Sequence, residues 1–176
     1  SPDWIEGLIA FLEESDVGMV GPKLLLEDKR IQSAGHYFKN GAHNAAGGSA
    51  NRESGPFSVL TIPAERSGLT MACVAIPRRV YEHVGGLCAE FPGAFNDVDF
   101  GNKLVMHGYR MIWTPHVELF HFESLSRNPR SARPRFAPIF LRHLPTRFGP
   151  ISNKRYCPSP IYCPTLPPTR IAFISA

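Results

Sequence analysis

Three short runs in this 176-residue chain carry residue types with chemical potential. The first is Asn96-Asp97-Val98-Asp99-Phe100, which sets two carboxylates one residue apart at the start of an apolar-periodic stretch. The second, Gly108-Tyr109-Arg110, stops that stretch, and the third, His121-Phe122-Glu123-Ser124, follows the next apolar run. A carboxylate in a cleft can take a proton from a hydroxyl, and an imidazole beside carboxylates can hold a metal ion. Each run also has a plain structural explanation. Acids in a first helical turn meet the helix dipole favourably, a histidine after a strand is usually a hydrogen-bonded core residue, and Glu123 reads as a surface charge.

The elements that must position these residues follow from periodicity. Residues 3–14 read as a helix with Trp4, Leu8, Phe11 and Leu12 on one face, Asp3 as its cap and Glu6 three residues on. Val17 to Leu26 suits a buried strand and turn, and Ile31 to Phe38 another strand. Residues 39–56, rich in Gly, Ala, Asn and Ser, read as a long flexible loop. Leu69 to Ile76 is the best buried strand, with Cys73 as a small core residue. Pro77 then opens a helix over 78–84 that Gly85-Gly86 stops. A second helix is expected from Asp97 to His107, with Asn96 as cap, Gly108 as terminator and Phe100, Leu104 and His107 facing the core. Strands over 110–114 and 117–122 follow, separated by Pro115. Helices alternating with strands make this an α/β chain.

Composition bounds the remaining choices. Hydrophobic residues are 43% and charged residues 19%, and no run approaches the ~20 apolar residues of a spanning helix. The N-terminus shows neither a basic flank nor a signal-like apolar run. Cys73, Cys88, Cys157 and Cys163 form no C-x-x-C pair and suggest no secreted disulfide framework, so a cytoplasmic setting is expected. After Glu123 there is no Asp or Glu, while nine Lys or Arg follow from Arg127 to Arg170. That basic tail is either a solvated arm or a surface for phosphates, including a peripheral contact with an anionic membrane. Only 136–144 has a helical pattern within it. A nucleic-acid-binding role has charge and a few interleaved aromatics behind it but no motif, and nucleic acid is not expected as a partner. His36, His43, His83, His107 and His143 show no metal-ligand spacing, and His116 at a strand start is a weaker candidate than His121.

Taken in order, the runs resemble a known family. NDVDFGNKLVMHGYRMIWTPHVELFHFES, residues 96–124, resembles the acidic motif opening a helix, the G-Y-R and the histidine-ended strand of family 2 inverting glycosyltransferases of the GT-A fold. Residues 2–35, PDWIEGLIAFLEESDVGMVGPKLLLEDKRIQSAG, resemble the segment after the donor site in rhamnosyltransferase-like and galactofuranosyltransferase-like members, and MACVAIPRRVYEHVGGL resembles their strand-to-helix step. The resemblance covers 1 to about 126. It implies a partial GT-A fold with a mixed sheet, the acceptor-side half over 1–126, and a basic, Pro-rich irregular arm over 127–176. The nucleotide-binding half and the acidic D-x-D motif of the family precede a segment like Ser1-Pro2-Asp3-Trp4, and neither is in this sequence.

The same resemblance implies roles. Asp97 is the base that takes the proton of an acceptor hydroxyl, and Asp99 orients the acceptor or supports Asp97. His121, 24 residues after Asp97, is a ligand to a divalent Mn²⁺ or Mg²⁺ that the D-x-D motif also holds. The implied partners are a nucleotide-diphosphate sugar and a glycan or lipid-linked glycan acceptor, with negligible activity expected of the isolated chain. The competing expectation is a non-catalytic remnant or carbohydrate-binding module.

Overall fold

A computed structural model describes residues 2–39, 42–91 and 95–122, together with the backbone of 171–175. Its centre is β1 (Val17–Leu25), a nine-residue strand buried along its whole length. Such a strand needs neighbours on both edges and cover on both faces. On one edge it pairs in parallel with β7 (Arg110–Phe120), and on the other antiparallel with β6 (Cys73–Pro77). Strand β5 (Ala64–Glu65) adds to the far side of β7, and β8 (Ile171–Ser175) runs antiparallel to β6. The sheet order is therefore β5-β7-β1-β6-β8, with β2 (Ile31–Ser33) paired to the end of β1. The chain is α/β, as its alternating pattern implies, and its sheet is mixed, as the resemblance implies.

Helices cover both faces. Helix α1 (Trp4–Ile9), continued by a 3-10 turn over Ala10–Glu13, covers one face with Leu8, and Trp4, Phe11 and Leu12 join it against Val17, Val20, Ile112 and Val117. Asp3 stands at the cap position, yet its side chain makes no capping bond. The opposite face holds the larger core, where Met19, Val74, Ile76, Met111 and Trp113 meet residues of α2 (Arg78–His83) and α3 (Asn96–Met106). Neighbours along β6 and β7 alternate between the two cores, as a pleated strand dictates.

Three expectations need correction. Pro115 does not divide two strands: β7 runs unbroken, and the ladder skips instead, Pro22 pairing with Thr114 and Lys23 with Glu118. A proline cannot donate to a ladder, so Pro22 and Pro115 fall together where the ladder is interrupted. Residues 39–56 are not a free loop. Strand β4 (Ala42–Asn44) forms a hairpin with β3 (His36–Phe38), and the segment then folds back on β2 through Ile31 N–H to Ser49 O (2.8 Å) and Gly48 N–H to Ile31 O (2.8 Å). Gly48, at φ +86°, permits that return. Finally, His107 is exposed rather than core-facing, its Nδ1 lying 2.8 Å from the Lys103 carbonyl and its ring edge-on to His83.

Cys73 is half-buried, and burial pushes its thiol up from the ordinary range; Cys88 is buried. Cys157, Cys163, His143, the helical pattern at 136–144 and the expected domain end near 126 lie outside the described residues. No helix among the described residues is long and apolar enough to cross a membrane.

The contact between α3 and the sheet is close because Gly18 has no side chain. A Cβ there would lie 2.7 Å from Tyr109 Cβ and 2.9 Å from Leu104 Cδ2. Gly18→Ala should therefore destabilise the chain by about 1–3 kcal/mol, the usual range for overpacking. Urea denaturation checks this, and a midpoint unchanged from wild type would contradict the packing described.

Candidate functional site

Helix α3 aims its N-terminus at one end of the sheet. Its C-terminal half is anchored where β1 begins, Leu104 packing at Gly18. One turn earlier, Gly101 meets Met111 and the backbone of Gly68, while Leu69 packs at Gly21 further along β1. The helix thus runs against β1, and Asp97 lies toward the strand's C-terminal end. There the backbone N–H of His121 donates to the Leu25 carbonyl at 2.8 Å. His121 thus lies at the carboxyl ends of parallel β1 and β7, the edge where open α/β sheets form ligand crevices, and α3 points its first turn toward that end.

Both termini of α3 are specified locally. Phe95, at φ +65°, holds the cap position, and Asn96 is the first helical residue rather than the cap. The Asn96 Oδ1 accepts from the Asp97 N–H (2.9 Å), and the Asp97 Oδ1 accepts from the Val98 N–H (2.9 Å). At the other end Gly108, at φ +80°, lets Tyr109 N–H reach Leu104 O (2.9 Å) and its own N–H reach Val105 O (3.1 Å). This is the paired-bond stop that glycine favours.

The two acids separate in role. Asp97 is half-buried, and its Oδ1 accepts from the Val98 N–H. Asp99 Oδ2 lies 2.9 Å from Lys103 Nζ, with their side chains 13% and 8% exposed. Lys103 also donates to the Gly86 carbonyl at 3.0 Å, tying α3 to the loop after α2. Asp99 is held inside the protein by that lysine. Asp99→Asn removes the anion opposite a buried ammonium and should cost about 1–3 kcal/mol. Asp97→Asn, whose carboxamide oxygen still accepts from Val98, should stay within about 0.5 kcal/mol of wild type. Thermal melts of both variants check this, and equal losses would contradict the division.

Gly108-Tyr109-Arg110 is at the other end of the molecule. Arg110 Nε donates to Asp16 Oδ2 at 2.8 Å and a terminal nitrogen reaches Glu14, clamping the start of β7 to the start of β1. Its hydrogen bonds to Asp16 and Glu14 raise the guanidinium's pKa further. These bonds fix the start of β7, the strand that His121 follows.

His121 is half-buried, and its Nδ1 is buried with no hydrogen-bond partner among the described residues. An orphaned imidazole nitrogen is a donor waiting for a metal or a further side chain. Among the described residues, however, no group of three or more His, Cys, Asp and Glu is arranged to hold a metal ion. Among the described residues, the fit to a divalent cation therefore rests on one candidate ligand, His121. Glu123 and Ser124 lie outside the described residues.

Sequence patterns missed His36. It begins the β3–β4 hairpin, is 6% exposed, and its backbone N–H donates to the Gly68 carbonyl at 2.7 Å. Burial pushes its imidazole below the ordinary histidine pKa, against the opposing pull of the Asp97 carboxylate and a hydrogen bond with the Asn44 side chain. No local signal carries this, because the approach to α3 is made through Gly68. The Asp99–Lys103 pair did have a signal, opposite charges four residues apart on one helix.

Comparison with known proteins gives two relatives. The chain is 38% identical over 130 residues to the uncharacterized protein y4gI of Sinorhizobium fredii. It is 34% identical over 131 residues to the O-antigen biosynthesis protein RfbC of Myxococcus xanthus. Each match takes in 72% of this chain but only 14% and 10% of the respective relative, so the chain spans a small part of either. No protein-family model matches the chain, and no solved structure matches it.

Proposed function

We propose that this chain is the acceptor-side half of a family 2 inverting glycosyltransferase of the GT-A type, acting in the synthesis of a surface polysaccharide or cell-wall glycan. The observation that carries the reading is the placement of Asp97. It opens α3, whose run along β1 points it toward the sheet end where His121 follows β7, and no ion pair among the described residues holds its carboxylate. The similarity to an O-antigen biosynthesis protein supports a role in polysaccharide assembly.

In this reading the acceptor hydroxyl approaches Asp97 as its oxygen attacks the anomeric carbon of a nucleotide-diphosphate sugar. The new C–O bond forms on the face opposite the diphosphate, the bond to the diphosphate oxygen breaks, and Asp97 keeps the hydroxyl proton. A carboxylate suffices as base because the sugar centre becomes cation-like before the hydroxyl has fully lost its proton. Asp99 acts indirectly, locking α3 through Lys103 so that Asp97 keeps its place. A divalent Mn²⁺ or Mg²⁺ would neutralise the charge gathering on the leaving diphosphate, with His121 supplying one ligand. The remaining ligands and the nucleotide pocket would come from a donor half joined to this one.

Product stereochemistry tests the reading. The polypeptide joining this chain to a nucleotide-binding half is incubated with sugar nucleotides and glycan acceptor, and the anomeric configuration of the product is read by proton NMR. An inverted linkage is expected. A retained configuration would exclude a single displacement with Asp97 as base.

A further inference from the structure

Beyond the skip in its ladder, β7 and the two residues after it alternate regularly. His116, Glu118, Phe120 and Phe122 are exposed, whereas Val117, Leu119 and His121 between them are buried or half-buried. Val117 and Leu119 pack into the core beneath α1, so Glu118 and Phe120 turn to the opposite face, the one on which α2 and α3 lie. Phe122 stacks with Phe120, the ring centroids 6.0 Å apart and the planes 10° from parallel, and each residue keeps 52% of its surface open. A paired apolar surface left in water marks a contact site more often than a lone exposed residue does. Two residues back, Lys23 Nζ donates to Glu118 Oε1 (2.9 Å) and Asn51 Oδ1 (3.0 Å), and Asn51 Nδ2 donates to Glu118 Oε2 (3.1 Å). The Lys23 side chain is 7% exposed and that of Glu118 is 43% exposed, so this trio shows water its carboxylate rather than its ammonium.

We propose that this strip, Glu118 with Phe120 and Phe122, is a subsite for neutral sugar rings of the acceptor glycan. The assignment rests on the reading of the chain as an acceptor-side half. One face of a pyranose ring presents C–H groups, which meet the negative π-face of an aromatic ring, while its rim presents hydroxyls. The strip is built to match: two rings, then a carboxylate whose remaining lone pairs can accept from hydroxyls. From Glu118 to Phe122 the chain covers about 13 Å, at about 3.3 Å per residue, enough for more than one sugar unit. The charges select against other occupants. An anionic ligand would meet the exposed carboxylate, whose one ammonium is buried and already matched. An apolar partner or a bilayer would strip water from Glu118 without replacing its hydrogen bonds. A neutral polyol with an apolar face has neither cost. The strip also lies on the α3 face, at the sheet end toward which the first turn of α3 points.

The test measures binding of neutral oligosaccharides of hexoses and deoxyhexoses to the 176-residue chain by saturation-transfer NMR. Saturation should reach the C–H protons of one sugar face in wild type. Phe120→Ala and Phe122→Ala should each weaken binding about two- to tenfold, the loss of one ring contact, and Phe122→Tyr, which keeps the ring, should not. Both positions are half-open, so urea midpoints should stay near wild type. No binding by the wild-type chain, or binding unchanged in both alanine variants, would overturn the proposal. Self-association that both alanine variants abolish, with no sugar bound, would assign the strip to a contact between copies and overturn it as well. In the polypeptide that also carries a donor half, Phe120→Ala should raise KM for the acceptor about two- to tenfold, the loss falling on KM rather than on kcat. Transfer with an unmoved KM would refute the subsite and leave the transferase reading standing. Sugar binding that depends on both rings, in a polypeptide that transfers nothing, would refute the transferase reading and uphold the subsite.

Discussion

Asp97→Asn should lower kcat for sugar transfer by about 10²–10⁴-fold, with KM for the acceptor changed far less. The substitution is nearly isosteric, and the amide oxygen can still accept from Val98 N–H, which the Asp97 Oδ1 does now at 2.9 Å. Helix α3 is held by contacts that do not involve position 97: Leu104 at Gly18, Gly101 at Met111 and Gly68, and Lys103 on Asp99 and the Gly86 carbonyl. In the proposed reaction, what the variant loses is the ability to hold the acceptor's proton while the glycosidic bond forms. The measurement is steady-state transfer by the polypeptide carrying both halves, with a thermal melt as the folding control. A variant that folds and keeps near wild-type kcat would remove Asp97 from the chemistry.

Phe100→Ala should give the largest loss of stability, about 3–5 kcal/mol, since it empties a wholly buried site in the larger core. Phe100 packs against Tyr81 of α2, ring centroids 5.5 Å apart, and the Tyr81 hydroxyl accepts from the Leu87 N–H at 3.3 Å. One aromatic pair therefore joins α2, the Gly85-Gly86 turn and the first turns of α3. Loosening it releases the helix at the end that carries Asp97. The expected outcome is a large drop in the urea midpoint, together with loss of transfer even where the variant is still mostly folded. A loss under about 1 kcal/mol would mean that α3 is not seated through Phe100.

What the sequence disclosed depended on the range over which each feature is encoded. Helix α3 was legible because its start, its apolar face and its glycine stop lie within thirteen residues, 96–108. Strand β1 was legible as an apolar run, although its pairing partners were not. The hairpin was illegible, since Ala, Gly, Asn and Ser give no period-two signal and its bonds to β2 are made by backbone groups. Pro115 misled because a proline is a boundary signal only where a ladder needs its N–H, and here the ladder skips that position. Strand β8 followed no pattern readable in a proline-rich tail. At the site, Asp97 and His121 could be nominated from their order along the chain. The geometry points the first turn of α3 toward the sheet end where His121 follows β7, and withdraws Asp99 into an ion pair.

The most direct test of the account is a transfer assay with a panel of nucleotide-diphosphate sugars and glycan acceptors. It would be run on the 176-residue chain alone and on the polypeptide joining it to a nucleotide-binding half. The account predicts acceptor-dependent release of the nucleoside diphosphate by the longer polypeptide, suppressed by chelation of divalent metal, and none by the short chain. Turnover by the short chain alone, or no transfer by the longer polypeptide with any donor in the panel, would contradict it.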